Sequence, residues 1–220
     1  MSMSVDVLFN MLLLETGRSM FMTVFGTLGA YALGMPLGIL LAVTDKDGIK
    51  PNPALNSTIG VLINIMRAVP FLILVIVFIP VVRFLVGTSL GYQPITVALI
   101  IAAFAFVARI VENSIKEVDK GVIEAARSMG ASTFQIIYKV LIVESRSSLI
   151  LGATIAATTI LSFSAMAGIL GGQGLGFVAI NYGYYRWQRD IMWIAVVLLV
   201  ILVMGGQYLG NLLARKVDKR

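Results

Sequence analysis

The chain has 220 residues, 59% hydrophobic and 13% charged, with a net charge of +6 and neither cysteine nor histidine. Soluble domains average roughly 45–50% apolar and about 25% charged residues, so this composition describes an integral membrane protein. The missing residue types exclude thiol chemistry, Cys/His metal sites and histidine-based acid–base or triad catalysis.

Residues 1–18 read as a short amphipathic lead-in on the membrane surface. Its apolar run, Val7 to Leu14, is bounded by Asp6 and Glu15 with no positive region before it, unlike a cleavable signal. Residues 20–43 carry no charge and form the first predicted span, long enough for about 30 Å of hydrocarbon. Gly26, Gly29, Gly34 and Gly38 suit close helix packing, and Pro36 predicts a kink. A polar connection follows to Asn56. The next apolar stretch, from Ser57 to Val86, is too long for a simple span. It predicts an interfacial segment and then a span over 68–86, joined near Arg67 and Pro70. Further spans are expected at 94–111, 148–170 and 191–213, with a glycine- and tyrosine-rich loop from Gly171 to Arg189.

The one long polar interruption, 113–147, predicts a helix-turn-helix. Ile115, Val118, Val122, Ile123 and Ala126 recur near the helical period, giving an amphipathic helix from Asn113 to Met129. Gly130 can end it in the left-handed conformation, and Ser132 or Thr133 can cap the next helix. No proline follows within the second helix, so it is expected to run into the fourth span with little or no break.

Positive residues set the orientation. With the helix-turn-helix in the cytoplasm, Lys46, Lys50, Lys116, Lys120, Arg127, Lys139, Arg146, Arg215, Lys216, Lys219 and Arg220 lie inside. Arg18, Arg83, Arg186 and Arg189 lie outside, and Arg67 and Arg109 near the inner edge. Eleven against four predicts an all-α membrane protein with five transmembrane helices, N-terminus out and C-terminus in, as one domain. The +6 is then a matter of topology in a lipid bilayer and calls for no nucleic acid. An odd number of spans without a duplicated half argues against an inverted-repeat carrier.

Gly171-Gly172-Gln173-Gly174-Leu175-Gly176 is not a phosphate loop, because no Gly-Lys-Ser/Thr follows and no strand precedes it. It reads as a flexible external loop. No carboxylate falls inside any predicted span, which counts against proton coupling. Arg67 reads either as a topology anchor or as a contact near an inner gate. Arg109 and Glu112, three apart on one helix face, are expected to pair and to order the approach to the helix-turn-helix. Ser162, Ser164 and Met166, with Thr154, Thr158 and Thr159, serve either tight packing or a path for a zwitterion with an apolar side chain.

Glu124-Ala125-Ala126, Gly130 four residues on, and Val140-Leu141-Ile142-Val143 resemble the signature of permease subunits of bacterial ABC importers. Asn64-Ile65-Met66-Arg67-Ala68-Val69-Pro70-Phe71, Val86 to Gly91, Ala108 to Asn113, Ser164 to Gly168, Gly174 to Gly176 and Tyr182-Gly183-Tyr184 are similar to the methionine-uptake branch of that family. Asp119 and Val143 depart from it where the family usually has proline. The resemblance implies a multi-pass protein of the bacterial inner membrane that docks, through Glu124, Ala125, Ala126, Met129 and Gly130, onto a separate ATPase. It further implies two copies of this chain, two ATPase subunits and an external lipoprotein that delivers methionine or a related amino acid. ATP is used by the partner, so this chain binds no cofactor and is not itself an enzyme. An importer for another amino acid, or an ATP-independent carrier or channel, stands as the alternative.

Overall fold

The computed structural model describes residues 4–218, which are helical with no strand among them. Ten α-helical segments follow in chain order: α1 (Val5–Thr44), α2 (Pro53–Ala68), α3 (Phe71–Val86), α4 (Tyr92–Lys116), α5 (Lys120–Ser128), α6 (Thr133–Ile136), α7 (Ile142–Glu144), α8 (Arg146–Met166), α9 (Leu175–Val178) and α10 (Arg189–Val217). A π-helical turn over Ile137–Leu141 joins α6 to α7, and another over Ala179–Tyr185 extends α9. Four helices, α1, α4, α8 and α10, are long and apolar enough to cross a membrane. The bent pair α2–α3 makes five if it counts as one span.

The sequence predicts a separate surface lead-in and a span starting at Met20. Instead α1 is one helix of 40 residues, about 60 Å at the α-helical rise and twice the hydrocarbon thickness. No proline interrupts residues 5–35, and Thr16 and Thr23 return their hydroxyls to the Leu12 and Ser19 carbonyls without breaking the ladder. The assigned helix also continues through Pro36. One face is buried along its length, through Glu15, Ser19, Met22, Gly26, Ala30, Gly34, Gly38 and Leu41. Glu15 therefore lies inside a helix, ahead of the predicted span, and is 6% exposed.

The centre of the bundle is α1 packed on α4, with α8 closing over both. A side-chain carbon at Gly34 would fall 2.6 Å from the Phe104 carbonyl oxygen, and one at Gly38 would fall 2.7 Å from Val111 Cβ. Only a glycine surface admits so close an approach. Leu99, Ala103, Val107 and Val111 of α4 fill the seam with Met22, Ala30 and Ile160. Farther out, α10 rests on α8 where Gly210 meets Thr154, and Val75 and Val82 of α3 pack on Ala98 of α4.

The join predicted near Arg67 and Pro70 is present. Pro70 removes a backbone donor, and α2 and α3 meet there at a bend of 109°. The Gly171–Arg189 stretch differs from the flexible loop expected. It turns at Gly171 and Gly174, forms α9 and its π extension, and buries Gly172, Gly174, Leu175, Gly176 and Val178. A side-chain carbon at Gly168 would lie 2.6 Å from the Phe177 nitrogen, so this hairpin folds back tightly on the end of α8.

Gly38→Val should loosen the α1–α4 seam by about 1–3 kcal/mol, read as a lower unfolding temperature in detergent. Gly206→Ala, where nothing lies within 4 Å of the added carbon, should leave that temperature unchanged or slightly higher.

Candidate functional site

The polar interruption folds into a knob at one end of the bundle. The sequence suggests one helix from Asn113 to Met129. The structure divides it, because Asp119 adopts extended backbone angles and its carboxylate accepts the Gly121 N–H at 2.8 Å. That side chain starts a new helix, α5, as N-cap residues do. Helix α5 ends in a Schellman turn: the Gly130 N–H reaches the Arg127 carbonyl and the Ala131 N–H reaches the Ala126 carbonyl. Gly130 sits at φ +80°, where a side chain is strained. Ser132, rather than Thr133, caps the second arm in a capping box with Gln135.

From Thr133 to Met166 the chain stays helical except at Ser145. The Ser145 N–H donates to Leu141 O and the Leu149 N–H to Ser145 O, but Ser145 itself leaves the helical conformation at ψ 3° and ends α7 before α8 begins, so the continuous helix expected into the fourth span is interrupted there. Val143, where the resemblance leads one to expect proline, is helical.

The predicted coupling residues divide by exposure. Glu124, Ala125, Met129 and Gly130 are exposed, Met129 to 82%. Ala126 is 5% exposed and packs into the main core, so it seats the knob rather than facing a partner. Sequence reasoning misses two neighbours on the second arm, Phe134 and Tyr138. Their rings stack in parallel, 6.4 Å apart, and remain largely exposed. Val122 and Met129 on α5 are exposed apolar side chains as well, and exposed apolar groups on a polar element suit an interaction surface. Their i, i+4 spacing after a strong cap is the signal that could have found them.

Charged groups anchor the knob. Arg127 donates to the Ile49 carbonyl in the α1–α2 connection. Lys116 Nζ lies 2.5 Å from Asp45 and 2.7 Å from Glu112, and Arg109 Nη1 lies 2.6 Å from Glu112. Arg109 continues to Asn64 Oδ1 at 2.9 Å and the Gly60 carbonyl. The expected Arg109–Glu112 pair is thus one link in a chain from the α1–α2 connection through α4 to α2. Glu112 is 4% exposed at its side chain and shared by two cations. The Lys116 ammonium holds the Asp45 carboxyl below its ordinary value, chiefly through their hydrogen bond. Burial pulls the Lys116 value down, but its bonds to Asp45 and Glu112 outweigh burial and raise it.

The other predicted site residues do not form one cluster. Ser162 and Met166, four apart on α8, are exposed on the same face, beside partly exposed Thr158 and Thr159. Ser164 is 1% exposed and donates to the Leu161 carbonyl, so it points into the body. Arg67 is exposed at the end of α2, two residues before the bend. Among the described residues no group of acidic side chains is arranged to hold a metal.

A knob of this form between apolar helices defines a class. Residues 34–220 match the family described as "Binding-protein-dependent transport system inner membrane component", and the chain belongs to that family. It is a multi-pass inner-membrane component of an ABC importer and carries no ATPase of its own. Within the family it is 44% identical to the Vibrio cholerae "Probable D-methionine transport system permease protein MetI", covering 96% of this chain and 94% of that one. It is 45% identical to the Bacillus subtilis "Methionine import system permease protein MetP", covering 82% of each. Its fold superimposes on a chain of an inward-facing "MetNI methionine ABC transporter" with a TM-score of 0.96 at 39% identity, over 99% of this chain and all of that one. A crystallised amino acid ABC transporter, 18% identical with a TM-score of 0.75 over 98% of this chain and all of that one, shares the fold.

Glu112→Ala would leave Arg109 and Lys116 without their shared carboxylate and should cost about 3–5 kcal/mol in detergent stability. Asp45→Asn, on the exposed side of the same network, should cost less than about 1 kcal/mol. Asp45 is lowered, so its contribution is complete above the ordinary carboxylate value and lost as pH falls through the lowered value. The difference between native and Asp45→Asn proteins should accordingly hold steady at neutral pH and vanish in acid.

Proposed function

We propose that this chain is the membrane-spanning permease subunit of an ATP-driven importer for methionine. The single observation that carries the reading is the knob. It is capped at both turns, held to the bundle by Ala126, Arg127 and the Glu112 network, and exposes Met129, Phe134 and Tyr138. Such a surface transmits force from a partner that hydrolyses ATP. The names of the Vibrio and Bacillus relatives, covered over most of their lengths, support methionine as the substrate. The likeness to a MetNI chain supports assembly of two copies with two ATPase subunits.

The topology in this reading has five spans, with α2–α3 counted as one, the N-terminus outside and the knob and C-terminus inside. The contacts distinguish two ends of the bundle. Asp45, Lys116 and Arg127 meet at one end. Glu15, Gly91, Gly171 and Gly174 meet at the other. The cationic residues of the described chain gather mostly at the first end, as the positive-inside rule asks. Lys219 and Arg220, also assigned inside, fall outside the described residues.

Two copies would face each other across the uncovered face of α8, where Ser162 and Met166 offer a hydroxyl for a zwitterion and a thioether for an apolar side chain. Ser164 contributes by holding the helix, and Arg67 by fixing the depth of α2 at the inner interface. An external lipoprotein would deliver substrate to the opposite end, with ATP consumed only by the partner.

Ala125→Arg puts a long cation on the exposed side of α5 and should leave the chain in the membrane while abolishing recovery of the ATPase in a pull-down. Methionine uptake in proteoliposomes should fall at least tenfold. Retention of the ATPase with normal uptake would count against the knob. Uptake by the purified chain without ATP would replace this reading with an autonomous carrier.

A further inference from the structure

Glu15 is the one carboxylate buried within the long apolar helices away from the knob, among the described residues. An ionisable group in such a place is costly and tends to be held by specific partners. One oxygen, Oε1, pairs with Arg18 Nη1 at 2.5 Å, and Arg18 in turn lies 5.6 Å above the Tyr92 ring at the start of α4. The other, Oε2, accepts the backbone N–H of Gly174. One turn farther along α1, Ser19 Oγ accepts the N–H of Leu175 at 2.8 Å. These are the first free donors of the helical segment that starts at Leu175, and α1 supplies both acceptors.

The hairpin held this way is not a passive connection. It leaves α8 immediately after Met166 and returns against it, so that a side-chain carbon at Gly176 would lie 2.6 Å from Ala165 C. Gly171 also accepts a hydrogen bond from Gly91, ahead of α4. Glu15 thus stands where α1, α4 and the α8–α10 hairpin converge.

We propose that Glu15 is a positioning residue for transport: by clamping Gly174 it fixes the outer end of α8, and with it the Ser162–Met166 face, in the closed arrangement at the outer side. This rests on the permease reading above. Opening that side requires the hairpin to lift from α1, and the Glu15–Gly174 and Ser19–Leu175 bonds are what must part.

The chain has no cysteine, so a single reporter is unambiguous. Val178, 0% exposed, sits on the buried side of the hairpin, packed with Ile191 and Ala195. V178C is reconstituted in proteoliposomes with its co-purifying ATPase and exposed to a membrane-impermeant maleimide. Adding Glu15→Ala removes a charge-assisted acceptor and should speed labelling by about tenfold to a hundredfold. Glu15→Gln keeps an acceptor oxygen and should restore slow labelling most of the way. Uptake should drop with Glu15→Ala while ATP hydrolysis persists, a split that general misfolding would not give. Ser19→Ala is the milder second variant, expected to speed labelling several-fold in a complex that assembles normally. Unchanged labelling in both Glu15→Ala and Ser19→Ala would overturn the proposal. Labelling is read without any solute, so these rates as expected together with no methionine uptake even by the V178C parent would remove the substrate assignment and leave the clamp standing.

Discussion

The close seam between α1 and α4 is the contact on which the rest of the bundle depends. In hydrocarbon, helices gain little from hiding apolar side chains from one another, because lipid tails are equally apolar. What remains is the density of van der Waals contact, which is strongest where backbones approach. Gly34 and Gly38 bring the α1 backbone against the Phe104 and Ala108 carbonyls, and Val107 and Val111 fill the space beside them. With that pair fixed, α8 lies over the groove through Ile160 and Ala156, and α10 and α3 attach to the outside.

Charge plays its part at the ends of this seam. At the knob end, Glu112 gathers Arg109 and Lys116, and through them the α1–α2 connection and α2. Each ion has a close partner of opposite charge, and the network spans several elements, so the knob has a seat rather than a tether. At the opposite end Glu15 does the same with fewer partners, joining Arg18 on its own helix to the backbone of a hairpin far away in sequence. These are the two buried carboxylates among the described residues.

Much of this architecture is legible in the order of residues alone. Long uncharged runs mark α4, α8 and α10 to within a few residues, since length and apolarity alone specify such helices. Gly130 and Ser132 mark the turn of the knob because backbone conformation and capping chemistry are local. What the sequence hides is non-local. Glu15 resembles the edge of an apolar run, and only its partner Gly174, some 160 residues on, explains why it is buried along a continuous helix. The same partnership turns a glycine-rich stretch that resembles a loop into a packed hairpin. Asp119 stands where the resemblance leads one to expect proline, and its carboxylate starts α5 by hydrogen bonding instead. Ala126 and Ser164 turn inward, since a motif does not say which way a side chain faces.

The unbroken length of α1 has a mechanical consequence. A single rod of about 60 Å touches the outer hairpin through Glu15 and Ser19, and the base of the knob through the turn at Asp45. Pivoted near its glycine seam, such a rod behaves as a lever. A tilt of about 10° would carry Glu15, roughly 30 Å from that pivot, by about 5 Å and the Asp45 end, roughly 14 Å from it, by about 2 Å, in opposite directions. Whatever pushes at the inner end is therefore felt at the outer end with reversed sign, and one side closes as the other parts.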